Sequence, residues 1–115
     1  MRREDVMERY ELRAELSDDY GCYGQTLANA STEDKMWEKF DEFYAKHMAH
    51  KAEEAGTDSI WVKVSCDTYE YNDLTDDYEY EDTEEVREYI ATPEELLAAC
   101  KDTKALRENV EGSLY

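Results

Sequence analysis

The chain has 115 residues, 41% hydrophobic and 38% charged, with a formal net charge of -18. That length fits one domain with a modest core, and the apolar content sets it apart from a wholly disordered tail. So acidic a surface disfavours direct nucleic-acid binding, because phosphate contacts require Lys and Arg.

The first residues, "MRREDVMERY", carry charges where a secretion signal needs an apolar run, and no window approaches the roughly 20 apolar residues of a membrane span. The expectation is a cytoplasmic protein with no membrane partner. "MERYELRAEL" then alternates, with Tyr10, Leu12, Ala14 and Leu16 on one side and Glu11, Arg13 and Glu15 on the other, which is the period of a half-buried strand. Helix is the rival reading of residues 8–16, since Glu, Leu, Arg and Ala are good helix formers. "DDYGCYG" reads as a turn-rich loop ended by two glycines.

"STEDKMWEKFDEFYAKHMAHKAEEAG" predicts one long helix. Ser31 or Thr32 caps it, Glu33 and Asp34 sit in its first turn, and Gly56 follows its last. Met36, Trp37, Phe40, Phe43, Tyr44, His47 and Met48 form a wide apolar stripe, most simply a core face. "SIWVKVSCD" alternates Ile60, Val62, Val64 and Cys66 against Trp61, Lys63 and Ser65, the pattern of a strand packed on that helix. Continued parity puts Glu70 in line with Ile60. An unpaired carboxylate does not belong in a core, so either the strand bulges near Asp67 or its far end projects into water.

"NDLTD" is a turn, and "DYEYED" alternates again, so residues 66–71 are expected to pair with residues 77–82 in a β-hairpin. "TEEVREYI" is ambiguous between strand and helical turn. "TPEE" starts a helix, with Thr92 as N-cap, Pro93 at the first helical position and Glu95 closing a capping box. Leu96, Leu97 and Cys100 face inward, and a break near Asp102 is compatible with the pattern. The sum is a single acidic α+β domain over residues 1–115, in the order strand, long helix, β-hairpin, C-terminal helix.

The charge is not evenly spread. Residues 57–92 carry twelve acids against Lys63 and Arg87 alone, whereas residues 1–30 and 31–56 each carry seven acids and four bases. Within residues 67–85, "DTYEYNDLTDDYEYEDTEE", there are ten acids, four tyrosines and no base. Concentration of this kind fits an acidic patch facing a cationic partner better than a general adaptation to salt, which would spread acids evenly and deplete lysine. The plainer alternative is a solvated acidic loop.

Catalytic and metal chemistry is sparse. No glycine-rich phosphate loop is present, and the acidic stretch lacks the glycine of an EF-hand loop. Three dispersed cysteines, Cys22, Cys66 and Cys100, suggest neither a disulfide framework nor a zinc site. His47, His50 and Glu54 share a helix side at metal-ligand spacing, but His47 falls on the apolar stripe; a packed His47 and an exposed His50 is the simpler reading. The expectation is no enzyme, no cofactor and no bound metal.

On a strand, alternate carboxylates recur at roughly 6.6 Å, a spacing similar to that of successive backbone phosphates. Tyrosine rings interleaved with them suit contact with Arg planes or base-stacking positions, or else simply pair across the hairpin and hold it together. In size, charge and the mixing seen in "DDYEYEDTEE", the chain resembles the acidic DNA-mimic inhibitors of phages and mobile elements, of the anti-CRISPR and anti-restriction type. The resemblance covers composition and no alignable motif. It implies a non-enzymatic inhibitor that occupies the basic, nucleic-acid-binding cleft of a host defence protein such as a CRISPR effector or restriction enzyme. The expected partner-binding residues are Asp67, Tyr69, Glu70, Tyr71, Asp73, Asp76, Asp77, Tyr78, Glu79, Tyr80, Glu81, Asp82, Glu84 and Glu85. A homodimer would double the acidic surface, and nothing in the chain forbids one. The rival is an adaptor or antitoxin-like module binding through an apolar helix face, its acids serving solubility.

Overall fold

The computed structural model describes residues 6–18 and 21–112, with the side chains of Asp18, Glu85 and Val86 left aside. Four antiparallel strands form one sheet in the order β2-β1-β3-β4: β1 (Val6–Asp18), β2 (Gly21–Ala30), β3 (Ile60–Asn72) and β4 (Asp77–Ala91). Four short helices, α1 (Glu33–Glu38), α2 (Glu42–Ala55), α3 (Pro93–Ala99) and α4 (Lys104–Glu111), accompany it. The core is built where strand parity and helix faces meet. Leu12, Ala14 and Leu16 of β1, Ile60, Val62 and Val64 of β3, Met36 and Trp37 of α1, and Ala45, Met48, Ala49 and Ala52 of α2 are all buried there, with Leu96, Leu106 and Val110 closing it. Burying each of the larger side chains contributes about 1.5–3 kcal/mol.

The class is α+β, but the arrangement expected from the sequence, strand, long helix, hairpin, helix, is contradicted in three places. Residues 21–30 are a strand rather than part of a loop. Gly21 and Gly24 interrupt the pattern, and the pairing with β1 shifts by one residue between Leu12 and Arg13, leaving Leu27 as an extra residue of β2. Alternation is thereby erased while Leu27, Ala28 and Ala30 are all buried. Residues 8–16 are strand because β1 is paired on both sides, by β2 and by β3.

The long helix is two helices. Asp41 ends the first by becoming the cap of the second: its side chain accepts from the Tyr44 amide at 3.2 Å, and its own amide donates to the Leu27 carbonyl at 2.8 Å. Asp competes with helical hydrogen bonding in this way. The break divides the apolar stripe. Met36, Trp37 and Met48 are buried, but Phe43 is 72% exposed and α2 turns its small face, Ala45, Ala49 and Ala52, to the core.

The C-terminal segment is likewise two helices. Thr92 and Glu95 form the capping box of α3, and Asp102 lies in the break, its carboxylate accepting from the Lys104 amide at 3.0 Å.

β3 and β4 outrun the helices. On β3 the last buried residue is Cys66, six residues short of the strand end. The molecule is correspondingly long, 53 × 31 × 28 Å. β3 stays in regular register with β1 from Trp61 to Glu70, so the strand does not bulge near Asp67. Its far end projects past the core, which is how Glu70 avoids burial.

A candidate partner-binding face on the projecting hairpin

The arm is the outer part of the β3–β4 hairpin. Its turn, residues 73–76, closes with Asp76 at φ 53°, a left-handed conformation that Asp tolerates better than most residues. Asn72 accepts from the Leu74 amide at 2.9 Å, and the Tyr71 hydroxyl donates to the Asp76 carboxylate. Register Tyr71↔Tyr78 and Asn72↔Asp77 then fixes which side chains share a face.

Two register shifts place an extra residue in β4, one at Glu81 and one at position 86. Their consequence is a sorting of charge. Without the bulge at Glu81, strict alternation would turn Asp82 and Glu84 onto the same face as Tyr78 and Tyr80. With it, Asp82 lies opposite Thr68 and Glu84 opposite Cys66, on the face that the core residues of β3 occupy further back. The second bulge restores Arg87 to that face, where its guanidinium meets Glu33 of α1 at 2.8 Å.

The arm therefore has two unlike faces. The face continuous with the core carries Glu70, Asp77, Glu79, Asp82 and Glu84, all exposed. Glu8 of β1, opposite Thr68, joins them and accepts from the Cys66 thiol at 3.2 Å. Glu70 and Glu79 are direct cross-strand neighbours. Among the described residues, no Lys or Arg lies on this face beyond Arg87. Like charges held this close cost stability.

The opposite face carries the four tyrosines, paired across the hairpin edge to face: Tyr69 with Tyr80 at 5.9 Å and Tyr71 with Tyr78 at 5.4 Å between ring centroids. Asp67 is on this side too, accepting from the Thr83 hydroxyl at 2.5 Å. Towards the body of the sheet this face holds Arg9, Arg13 and Lys63, and Glu15 bonds Lys63 at 2.8 Å and Arg13 at 3.2 Å. The Lys63 contact, ahead of the opposing effect of burial, holds the Glu15 carboxyl below its usual range.

The residues expected to form one site are thus not brought to one face. Glu70, Asp77, Glu79, Asp82 and Glu84 are together; Asp73 and Asp76 are on the turn; Glu81 is the bulge; Asp67, Tyr69, Tyr71, Tyr78 and Tyr80 are opposite. Glu85 pairs with Ser65 through its backbone, and its side chain lies outside those described. Sequence reasoning missed Glu8, although it shares parity with Tyr10 and Leu12 and only the β1–β3 register was needed to find it.

His47 and His50 do not converge. His47 Nε2 meets the Tyr23 hydroxyl at 3.1 Å, while His50 Nε2 meets Glu54 at 2.9 Å. Cys66 is buried, and burial together with Glu8 pushes its thiol up to about 11. Cys22 is exposed and Cys100 half-buried.

The fold and its charge define a small α+β domain with an acidic arm. No family model matches the chain, and no curated protein and no solved structure matches it. Among the described residues, no helix is long and apolar enough to cross a membrane.

Proposed function

We propose that this is a cytoplasmic, non-enzymatic inhibitor whose acidic arm enters the basic nucleic-acid-binding cleft of a nuclease or other nucleic-acid enzyme. The observation that carries this reading is the sorting by the Glu81 bulge, which gathers Glu70, Asp77, Glu79, Asp82 and Glu84 on one exposed face despite their mutual repulsion. On β4 the carboxylates of Asp77 and Glu79, and again of Asp82 and Glu84, stand roughly 6.6 Å apart in place of phosphates, and the projecting hairpin gives them reach. The tyrosine pairs stiffen the arm from behind, lowering the entropy lost on docking.

Binding of this kind is steered by charge and falls steeply with salt. Pull-down from cell extract at low and threefold higher salt, followed by challenge with free duplex DNA or RNA, tests it. A nucleic-acid enzyme recovered at low salt and displaced by nucleic acid supports the reading. A partner indifferent to salt and to nucleic acid contradicts it.

The second reading, an adaptor binding through an apolar surface, is favoured by one feature. Phe43 and Tyr44 open α2 as an exposed edge-to-face pair at 5.3 Å, with Phe43 72% exposed. An exposed aromatic of this kind is a typical binding anchor. If this surface makes the contact, Phe43→Ala abolishes capture while acid neutralisation leaves it intact.

A further inference from the structure

The helices cover one face of the sheet only. On the other, no described residue of β1, β3 or β4 is buried, and large apolar side chains stand in the open: Trp61 40%, Ile90 48%, Met7 40% and Tyr80 59% exposed. This same face is where the chain places three of its scarce bases. Arg9, Arg13 and Lys63 offset Glu11, Glu15, Asp67 and Glu88 among the described side chains, leaving a nearly neutral strip on a molecule of net charge -18. Large apolar groups left exposed on such a strip are the signature of a covered surface.

The ends of the strip are complementary. At the body end, Arg13, Glu15, Trp61 and Lys63 line a hollow of about 430 Å³. At the arm end lie the tyrosine pairs Tyr69–Tyr80 and Tyr71–Tyr78, with Tyr80 exposed and the other three half-buried. Between them, Arg9 and Glu11 lie two residues apart on β1, opposite Asp67 and Ser65 respectively. A two-fold axis lying between two facing sheets, parallel to their planes, perpendicular to the strands and passing between Ser65 and Asp67, would exchange these ends. It brings the tyrosines of each copy into the hollow of the other, puts their rings against Arg13 and Lys63, and sets each Arg9 beside the other copy's Glu11.

We propose that this open face is the interface of a homodimer, two sheets packed face to face with their acidic arms pointing in opposite directions and their acidic faces outward. The strip is about 35 Å long by roughly 14 Å across three strands, on the order of 500 Å² before side-chain relief is added. Over two copies that is on the order of 1,000 Å², the lower limit for a specific interface. Packing at the neutral strip keeps the acid rows apart, and salt screens what repulsion remains. Dimerisation should therefore strengthen with salt, the opposite of what steering by the acidic face predicts for a target.

Sedimentation equilibrium of the full chain over a range of concentrations, at low and high salt, tests this. The expected result is a species of twice the 13.5 kDa chain mass, favoured by salt, whose dissociation constant rises at least tenfold in Trp61→Glu and in Tyr80→Glu. Arg9→Glu and Glu11→Arg should each weaken it, and the double exchange should restore it, which a folding defect would not do. Neutralising Glu79 and Glu84 on the other face should leave the dimer intact, so this proposal can fail without the inhibitor reading failing. A monomer at every concentration overturns the proposal. So does a dimer untouched by Trp61→Glu and Tyr80→Glu, or one that salt dissociates.

Discussion

Glu70 of β3 and Glu79 of β4 face each other directly across the hairpin, on the acidic side of the arm. Directly opposed like charges cost about 0.2–1 kcal/mol relative to a neutral pair. Glu70→Gln should therefore stabilise the fold, raising the melting temperature by about 2–4 °C at low salt. Thermal unfolding checks it, and the gain should shrink in 0.5 M salt as screening replaces the substitution. On the proposed reading the same variant should also bind its target less well, because one carboxylate of the acidic face is gone.

Glu81 is the residue of β4 with no partner on β3, so removing it closes the bulge and leaves Asp82 opposite Thr68 and Glu84 opposite Cys66, on the same face as Glu79. Glu81→Gln removes the same single charge and leaves the bulge in place. Binding measured by titration should therefore fall by the same small factor, within about threefold, for the deletion and for Glu81→Gln. A loss at least tenfold greater for the deletion would mean that the twist of the bulge, and not the shared face of the acids, makes the contact.

Tyr89 donates a hydrogen bond to Glu95 at 2.6 Å, and that bond, with burial, pushes its hydroxyl up to about 12. The neutral phenol is the form that the fold favours. Its contribution is therefore complete below the unfolded value near 10 and is lost as pH rises through about 12. Tyr89→Phe should cost about 1 kcal/mol at pH 7, the usual net value of such a bond on a partly exposed group. Denaturant titrations should show that gap constant from pH 7 to 9 and closing between pH 10 and 12.

Thiol reactivity should separate the cysteines. Cys66 is buried, with its thiol pushed up to about 11 by burial and by Glu8, whereas Cys22 is exposed. The thiolate is the reactive form, so a thiol reagent at pH 8 should label Cys22 at least tenfold faster than Cys66 in the folded protein. Glu8→Gln should speed labelling of Cys66, because the carboxylate that disfavours its thiolate is gone.

The sequence made some of this legible and hid the rest for physical reasons. Ile60, Val62, Val64 and Cys66 alternate without interruption, and β3 follows that pattern. Thr92, Pro93 and Glu95 start α3 by local chemistry alone. β2 could not be read, because Gly21, Gly24 and the extra Leu27 remove the period that marks a strand. The break at Asp41 was hidden because the apolar positions run on through Phe40, Phe43 and Tyr44; what stops the helix is a hydrogen bond to Leu27, distant in sequence. The acidic stretch was visible from composition. Its division into an acidic face and a tyrosine face was not, since Glu81 looks like any other alternating residue until its pairing partner is known.

The central claim is that a face, rather than a net charge, makes the contact, and matched neutralisation tests it most directly. One variant changes Glu70, Glu79, Asp82 and Glu84 to their amides; the other changes Glu38, Glu53, Asp58 and Glu108, which are exposed elsewhere on the molecule. Both raise the net charge by four. Affinity for a nucleic-acid enzyme that free DNA or RNA displaces should be lost in the first variant and kept within about threefold in the second. Equal loss in both, or retention in both, would contradict the account.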